Sequence, residues 1–281
     1  MEQKQFEKLF EEAKEFFKKE GFVIADKKLK AILAAIEIRK PILVVGATGC
    51  GKTDFIMKLA KFLKGDYEYA SLNGSITIHD LTQERVLAKD GTFEERDMVL
   101  ARWLRSAAKG TSILQLDEVN AAKPETLLAM HPIMDIKGEL RLPYTNEVLK
   151  VNKNCILIMS CNEGDEYSGV NAMNMAFQNR YVKIHFDYIS GKELMNMLVN
   201  KTNVPIEKVK QVVDCWTNYM SARTPEQPIV SIRVLETWLE MSKLIGLKTA
   251  GEFTFASLIA KDSDELAQII EGTFFVHITE R

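Results

Sequence analysis

Cysteine is scarce in this chain, with four in 281 residues, and histidine is equally rare, also four. Cys50, Cys155, Cys161 and Cys215 form no CxxC pair, and His79, His131, His185 and His277 form no HxxxH pair. Nothing here resembles a zinc-ligand spacing or a disulfide framework, and scattered cysteines suit reduced core thiols. No apolar run reaches the ~18 residues that a membrane span needs. The N-terminal stretch carries charge throughout and lacks the apolar core of a secretory signal. The expectation is therefore a soluble, cytoplasmic protein. An excess of one charge is missing too: 37 Lys and Arg stand against 39 Asp and Glu, a net −2. Composition thus gives no overall argument for nucleic acid or an anionic membrane as partner.

What is present is the make-up of a globular protein, with 46% hydrophobic and 27% charged residues. The length suits one large domain or two of unequal size, and it can bury a core without staples. Phe6, Leu9, Phe10, Ala13, Phe16 and Phe17 recur at helical spacing over 2–20, and Gly21 follows as a stop. That apolar face packs on the domain behind it or against another subunit. A second helix covers about 26–38. Short aliphatic runs predict buried strands at Ile42–Val45, Glu68–Leu72, Ile113–Leu116, Cys155–Ser160 and Tyr181–Phe186. A helix over about 52–63 is expected to end at Gly65. Strands alternating with helices predict a doubly wound α/β sheet. After about Pro205 the pattern turns helical, at Ile206–Met220, Ser231–Leu244 and Ser263–Glu271, with Ser231 as a predicted N-cap. The boundary is expected near 190–205, giving an α/β domain over 1–200 and a small helical domain over 201–281.

Gly46-Ala47-Thr48-Gly49-Cys50-Gly51-Lys52-Thr53 matches GxxxxGK[ST] and sits between a predicted strand and a predicted helix. A loop that wraps phosphates with backbone N–H groups needs glycines for unusual dihedrals and close approach. The following helix, opening with Lys52, Thr53 and Asp54, adds positive potential at its N-terminus. Lys52 is placed to reach the β- and γ-phosphates of ATP, and the Thr53 hydroxyl to bind Mg²⁺.

Ser112–Leu116 is a strand that ends in Asp117 and Glu118. Beside a phosphate loop, Asp117 would hold Mg²⁺ through water, and Glu118 would polarise the attacking water. Neighbouring strand side chains point opposite ways, so the two acids share a site only where the strand is ending. A third aliphatic strand ends at Asn162. An amide there bonds the water or the γ-phosphate, or simply closes a turn. Arg180 and Arg233, taken alone, are surface arginines; in this company one reaches nucleotide from a neighbouring subunit and the other from the chain's own lid. Arg223 competes for that role.

The order of these elements resembles the AAA+ superfamily of P-loop NTPases, and within it the MoxR-like branch with its CbbQ/NorQ and GvpN-type ATPases. The resemblance runs from about Phe22 to near the end. Gly46–Thr53 looks like Walker A; Leu116-Asp117-Glu118-Val119-Asn120 with Pro124-Glu125 and Leu127-Leu128 looks like Walker B and its following helix. Asn162 falls where the family has sensor 1. Tyr167-Ser168-Gly169 through Asn179-Arg180-Tyr181 is similar to the segment ending in the family's arginine finger, which implies that Arg180 acts in trans. Ser231-Ile232-Arg233 looks like sensor 2 on a helical lid. Two inserts resemble those of the branch: one in the second helix, about 76–98, and a hairpin before sensor 1, about 135–151. There are departures. Ala47-Thr48 stands where many relatives have prolines, Asn179 replaces a commoner aspartate, and Tyr181 replaces a phenylalanine.

The resemblance implies an ATPase that works as a homo-oligomer, a hexameric ring, and remodels, activates or assembles a protein client. That client is sometimes a separate protein of von Willebrand type. Two other classes compete. A nucleic-acid motor would need a basic pore, whereas Lys89, Lys137 and Arg141 in the inserts are offset by Asp90, Glu94, Glu95 and Glu139. A slow, nucleotide-controlled assembly factor would show ATP-dependent oligomers with little turnover.

Overall fold

The computed structural model describes residues 2–136, 138–162, 175–189, 191–224, 226–272 and 278. The chain divides into two compact units. One comprises residues 1–47 and 51–187; the other comprises 48–50 and 188–281.

The first unit opens with α1, Gln3–Lys19, and α2, Asp26–Glu37. Phe10, Ala13 and Phe17 of α1 are buried, so its apolar face does pack inward. Gly21, at φ 67, supplies the left-handed turn after α1. Strand β1, Ile42–Val45, leads into α3, Lys52–Leu63. Helix α3 stops where expected, and Lys64, just before Gly65, takes the left-handed conformation, at φ 51. Gly65 is needed for space, because a Cβ there would stand 2.4 Å from Ile113 Cδ1.

Next come β2, Asp66–Ser71, and a short α4, Ile78–Thr82, opened by a capping box between Thr77 and Asp80. A ribbon of β3, Gln83–Leu87, and β4, Phe93–Asp97, precedes α5, Val99–Ala107. Strand β5, Ser112–Asp117, is followed by a 3₁₀ turn over Val119–Ala121. Then come α6, Pro124–Ala129, and α7, His131–Met134. A hairpin of β6, Glu139–Arg141, and β7, Val148–Lys150, turns through Asn146 at φ 57. Strand β8, Cys155–Cys161, the one-turn α8, Met175–Gln178, and β9, Val182–His185, complete the unit.

The main sheet is parallel, in the order β2-β5-β8-β1-β9. Its three inner strands are buried along their length, save Asp117 at the tip of β5, as aliphatic runs without alternation require. Leu43, Val45, Leu114, Leu116, Leu157 and Met159 share one core with Leu100, Trp103 and Leu104 of α5. Elsewhere in the unit Phe55 of α3 stacks on Phe17 of α1, with centroids 5.1 Å apart, and meets Phe186 at 5.2 Å. The two inserts are tied through Arg105 of α5. It binds Asp97 at the end of β4, and it grips Glu147 of the second hairpin with two bonds of 3.0 and 2.7 Å. The β3–β4 ribbon itself has no clear sequence signature, because its strands are short and charged.

The second unit is helical: α9, Gly191–Thr202; α10, Ile206–Ala222; α11, Ile232–Ile245; and α12, Leu247–Gly251. A π turn, Glu252–Ala256, joins α12 to α13, Ser257–Ile259, and α14, Ser263–Glu271, follows. Trp216, Tyr219, Trp238 and Phe255 build its core. Each buried ring with a polar atom finds a carbonyl: Trp216 Nε1 donates to Val230 O, Trp238 Nε1 to Leu247 O, and the Tyr219 hydroxyl to Pro228 O, all at 2.7 Å. Ser231 sits at the N-cap of α11 as expected, yet its hydroxyl makes no capping bond. Among the described residues no helix is long and apolar enough to cross a membrane.

Candidate active site

The sheet order sets the site. β8 lies between β5 and β1, so the C-terminal ends of three inner strands stand side by side. In register, Val45 pairs with Cys161, and Leu116 pairs with Met159. The phosphate loop leaves from β1, the acid pair from β5 and Asn162 from β8. Ligand sites of parallel α/β sheets form at such ends.

The loop has the backbone that the motif demands. Gly49 and Gly51 adopt φ 82 and 92, and Gly51 directly precedes Lys52 at the start of α3. A Cβ on Gly51 would meet the Phe22 ring at 3.3 Å. Residues Thr48–Cys50, the tip of the loop, cluster with the second unit. Within that unit the Tyr188 hydroxyl donates to Thr48 O at 2.6 Å, and a Cβ on Gly49 would crowd Ser231 Cβ at 2.9 Å.

Lys52 is buried, with 8% of its surface exposed, so its ammonium needs acceptors. It has three: Gly46 O at 2.7 Å, Ala47 O at 3.0 Å and Asn162 Oδ1 at 2.9 Å. Asn162 is thereby held at both ends of its residue, since its backbone carbonyl accepts from Asn120 Nδ2 at 2.9 Å. A plain turn asparagine would have no such tie to a distant lysine. Thr53 is half-buried on the first turn of α3. Asp54 points along the helix, with its Oδ1 taking Lys58 Nζ at 2.5 Å.

Asp117 accepts from Ser160 Oγ at 2.6 Å and from the Glu118 N–H at 3.0 Å, both through Oδ1. Its Oδ2 has the Tyr69 hydroxyl at 3.5 Å. Glu118 is exposed and adopts φ 54, a left-handed conformation that costs a non-glycine residue roughly 1 kcal/mol. This kink ends the strand's alternation just after Asp117. Ser71 Oγ lies 3.5 Å from Glu118 Oε2. A threonine hydroxyl and a carboxylate are hard oxygen donors, and ammonium and backbone amides suit phosphates. The donor set at these three strand ends therefore fits Mg²⁺ with a nucleoside triphosphate.

Arg180 and Arg223 make local contacts. Arg180 follows α8; its NH1 donates to Ala176 O at 2.7 Å, and its Nε lies 3.5 Å from Asp135 Oδ1. The nearby His131 ring is held below the usual histidine range by burial and by the Arg180 charge. Arg223 is engaged locally, donating to Gln227 O at 2.7 Å. Arg233 is exposed on the first turn of α11. Tyr167, Ser168 and Gly169, from the segment before Arg180, fall outside the described residues.

Three polar residues of the strands have no place in a motif: Gln115, Ser160 and Tyr67. They are linked by hydrogen bonds, with Tyr67 donating to Gln115 Oε1 at 2.6 Å. Their only sequence signal is polarity inside aliphatic runs, as in Ile113-Leu114-Gln115-Leu116 and Ile158-Met159-Ser160.

Residues 41–181 match the family described as AAA domain (dynein-related subfamily). Two proteins of Staphylococcus aureus, from strains bovine RF122 / ET3-1 and NCTC 8325 / PS 47, are described as uncharacterized. Each is 29% identical over 240 residues, covering 84% of this chain and 89% of its own. A crystal structure of a candidate ATPase from Cytophaga hutchinsonii ATCC 33406 covers 95% of this chain and 87% of its own, with TM-score 0.51 at 14% identity. That likeness speaks to the fold.

Proposed function

The chain belongs to the AAA domain family, dynein-related subfamily, and we propose that it is a Mg-ATP hydrolase of the MoxR-like branch that remodels a protein partner as a ring. The observation that carries the hydrolase reading is Lys52 Nζ, buried in the glycine loop and bonded to Asn162 Oδ1 at 2.9 Å. It supports a cradle in which lysine and amide face the same phosphate.

In this reading the backbone N–H groups of Gly46–Thr53 cradle the phosphates, and Lys52 exchanges a carbonyl partner for phosphate oxygen. Thr53 and Asp117 hold Mg²⁺, which when bound neutralises charge on the β- and γ-phosphates. Glu118 orients water and takes its proton, and Asn162 fixes that water or the γ-phosphate. Arg180 serves the site of a neighbouring subunit, and Arg233 serves its own from the helical lid. Arginines of this kind contribute roughly 10³ to 10⁵ in rate. The ring, the hexameric count and the protein client rest on the likeness of the inserts and arginines to the branch. A nucleic-acid motor gains no support from the insert charges.

The test is binding and phosphate release measured together. Wild-type protein is expected to bind a fluorescent ATP analogue and to release phosphate only with Mg²⁺. Lys52→Ala is expected to lose binding by at least about 100-fold, the scale of a desolvated charge-assisted contact. Undiminished affinity in Lys52→Ala would refute the site.

A further inference from the structure

Gln115 of β5 and Ser160 of β8 lie wholly inside the aliphatic sheet, both 0% exposed, and the proposed chemistry uses neither. An unpaired buried amide or hydroxyl costs about 1–3 kcal/mol. Here the bonds form one directed chain. The Tyr67 hydroxyl donates to Gln115 Oε1 at 2.6 Å, Gln115 Nε2 donates to Ser160 Oγ at 3.3 Å, and Ser160 Oγ donates to Asp117 Oδ1 at 2.6 Å.

The direction follows from the groups. Ser160 has one proton, and the contact to Asp117 takes it, so its lone pair must accept from Gln115. The amide nitrogen then faces Ser160, and the amide oxygen faces Tyr67. Burial above all pushes the Tyr67 hydroxyl up to about 12, so it remains a donor at working pH. Gln115 and Asp117 are two apart on β5 and share a face of the sheet, which lets neighbouring strands reach both.

We infer that Ser160, backed by Gln115 and Tyr67, is a positioning residue that holds the Asp117 carboxylate by Oδ1 and leaves Oδ2 to serve magnesium. This rests on the reading of Asp117 as the metal-holding acid. Oδ1 is filled twice, by Ser160 and by the Glu118 N–H. Among the described residues, Oδ2 has only the long 3.5 Å approach of Tyr69. A carboxylate on a strand tip turns freely about its last bond; one short hydrogen bond from inside the sheet removes that freedom. Outer-shell partners of this type commonly set metal affinity by about 10- to 100-fold.

The experiment titrates MgCl₂ from a chelated baseline and follows binding of a fluorescent, non-hydrolysable ATP analogue. Ser160→Ala is expected to raise the half-saturating Mg²⁺ concentration by about tenfold or more, while affinity without Mg²⁺ stays as in wild type. Gln115→Met, of similar volume, is expected to shift the same midpoint in the same direction; it gives the answer if Ser160→Ala melts early. Asp117→Asn is the reference. Midpoints that move only in Asp117→Asn overturn the positioning role and leave the metal role of Asp117 standing. A midpoint unmoved in Asp117→Asn removes the metal reading and this inference with it. Equal loss of affinity with and without Mg²⁺ in Ser160→Ala marks the hydroxyl as merely structural and also overturns the role.

Discussion

Lys52 Nζ and Asn162 Oδ1 lie 2.9 Å apart across 110 positions of sequence. The contact joins the loop after one central strand to the tip of its neighbour. It gives the Asn162 side chain a fixed orientation. Asn162→Ala is therefore expected to leave Lys52 one acceptor short and to cut phosphate release by about 10- to 100-fold, with nucleotide affinity changed less, an estimate based on one lost neutral-to-charged bond. Steady-state kinetics and calorimetry on the same preparation check this.

Glu118→Gln keeps the size and the left-handed backbone of Glu118 but cannot take a proton. It is expected to bind ATP as wild type does and to hydrolyse it about 10²- to 10⁴-fold more slowly, the range of a lost general base. Normal phosphate release would remove Glu118 from the role.

Arg180→Ala is expected to be inactive alone and to regain activity when mixed with Glu118→Gln. Each variant spoils a different half of a shared site. Native mass spectrometry establishes co-assembly; mixed rings that stay inactive speak against action in trans.

Asp80 sits low because the Thr77 N–H and hydroxyl both bond its carboxylate. A depressed folded value means that its contribution is present above about pH 4, the ordinary aspartate range, and is lost as pH falls through the lower folded value. Asp80→Asn should destabilise the α4 turn by about 0.5 kcal/mol at pH 7, the low end for an exposed cap. The gap from wild type should narrow as pH falls from about 4 through that lower folded value. Hydrogen exchange at the Thr77 amide, measured across this range, reads it.

Among the cysteines, Cys155, Cys161 and Cys215 are buried and Cys50 is half-exposed. Burial lifts the Cys215 thiol to about 12 and raises Cys155 as well. Iodoacetamide at pH 8 is expected to label Cys50 first and to leave Cys155 and Cys215 untouched until denaturant is added. Peptide mass mapping follows each site. Bound nucleotide should slow the Cys50 reaction.

The parallel sheet was legible because its inner strands are unbroken aliphatic runs, and a run such as Ile42–Val45 before a glycine loop has few other uses. Lys52 and the acids were legible from their spacing. The β3–β4 ribbon was not, since charged residues at its pairs, such as Arg85 opposite Glu95, carry no period that sets them apart from a loop. The end of α3 at Leu63 was legible from the glycine that follows; that Lys64 takes the left-handed position, with Gly65 packed against Ile113, was not. Gln115 and Ser160 were passed over inside hydrophobic strands. Their meaning depends on strand order, which pairing across the sheet decides and no local window contains.

Glu118 is held at φ 54. Were durability the only demand on that corner, glycine would rest there more comfortably. If Glu118 has the role proposed for it, the chain keeps an acid in a posture that the backbone resists, and a small part of its resilience is forgone for a proton acceptor. Variants selected for heat resistance alone would then drift toward glycine at this corner, and they would become sturdier and idle together.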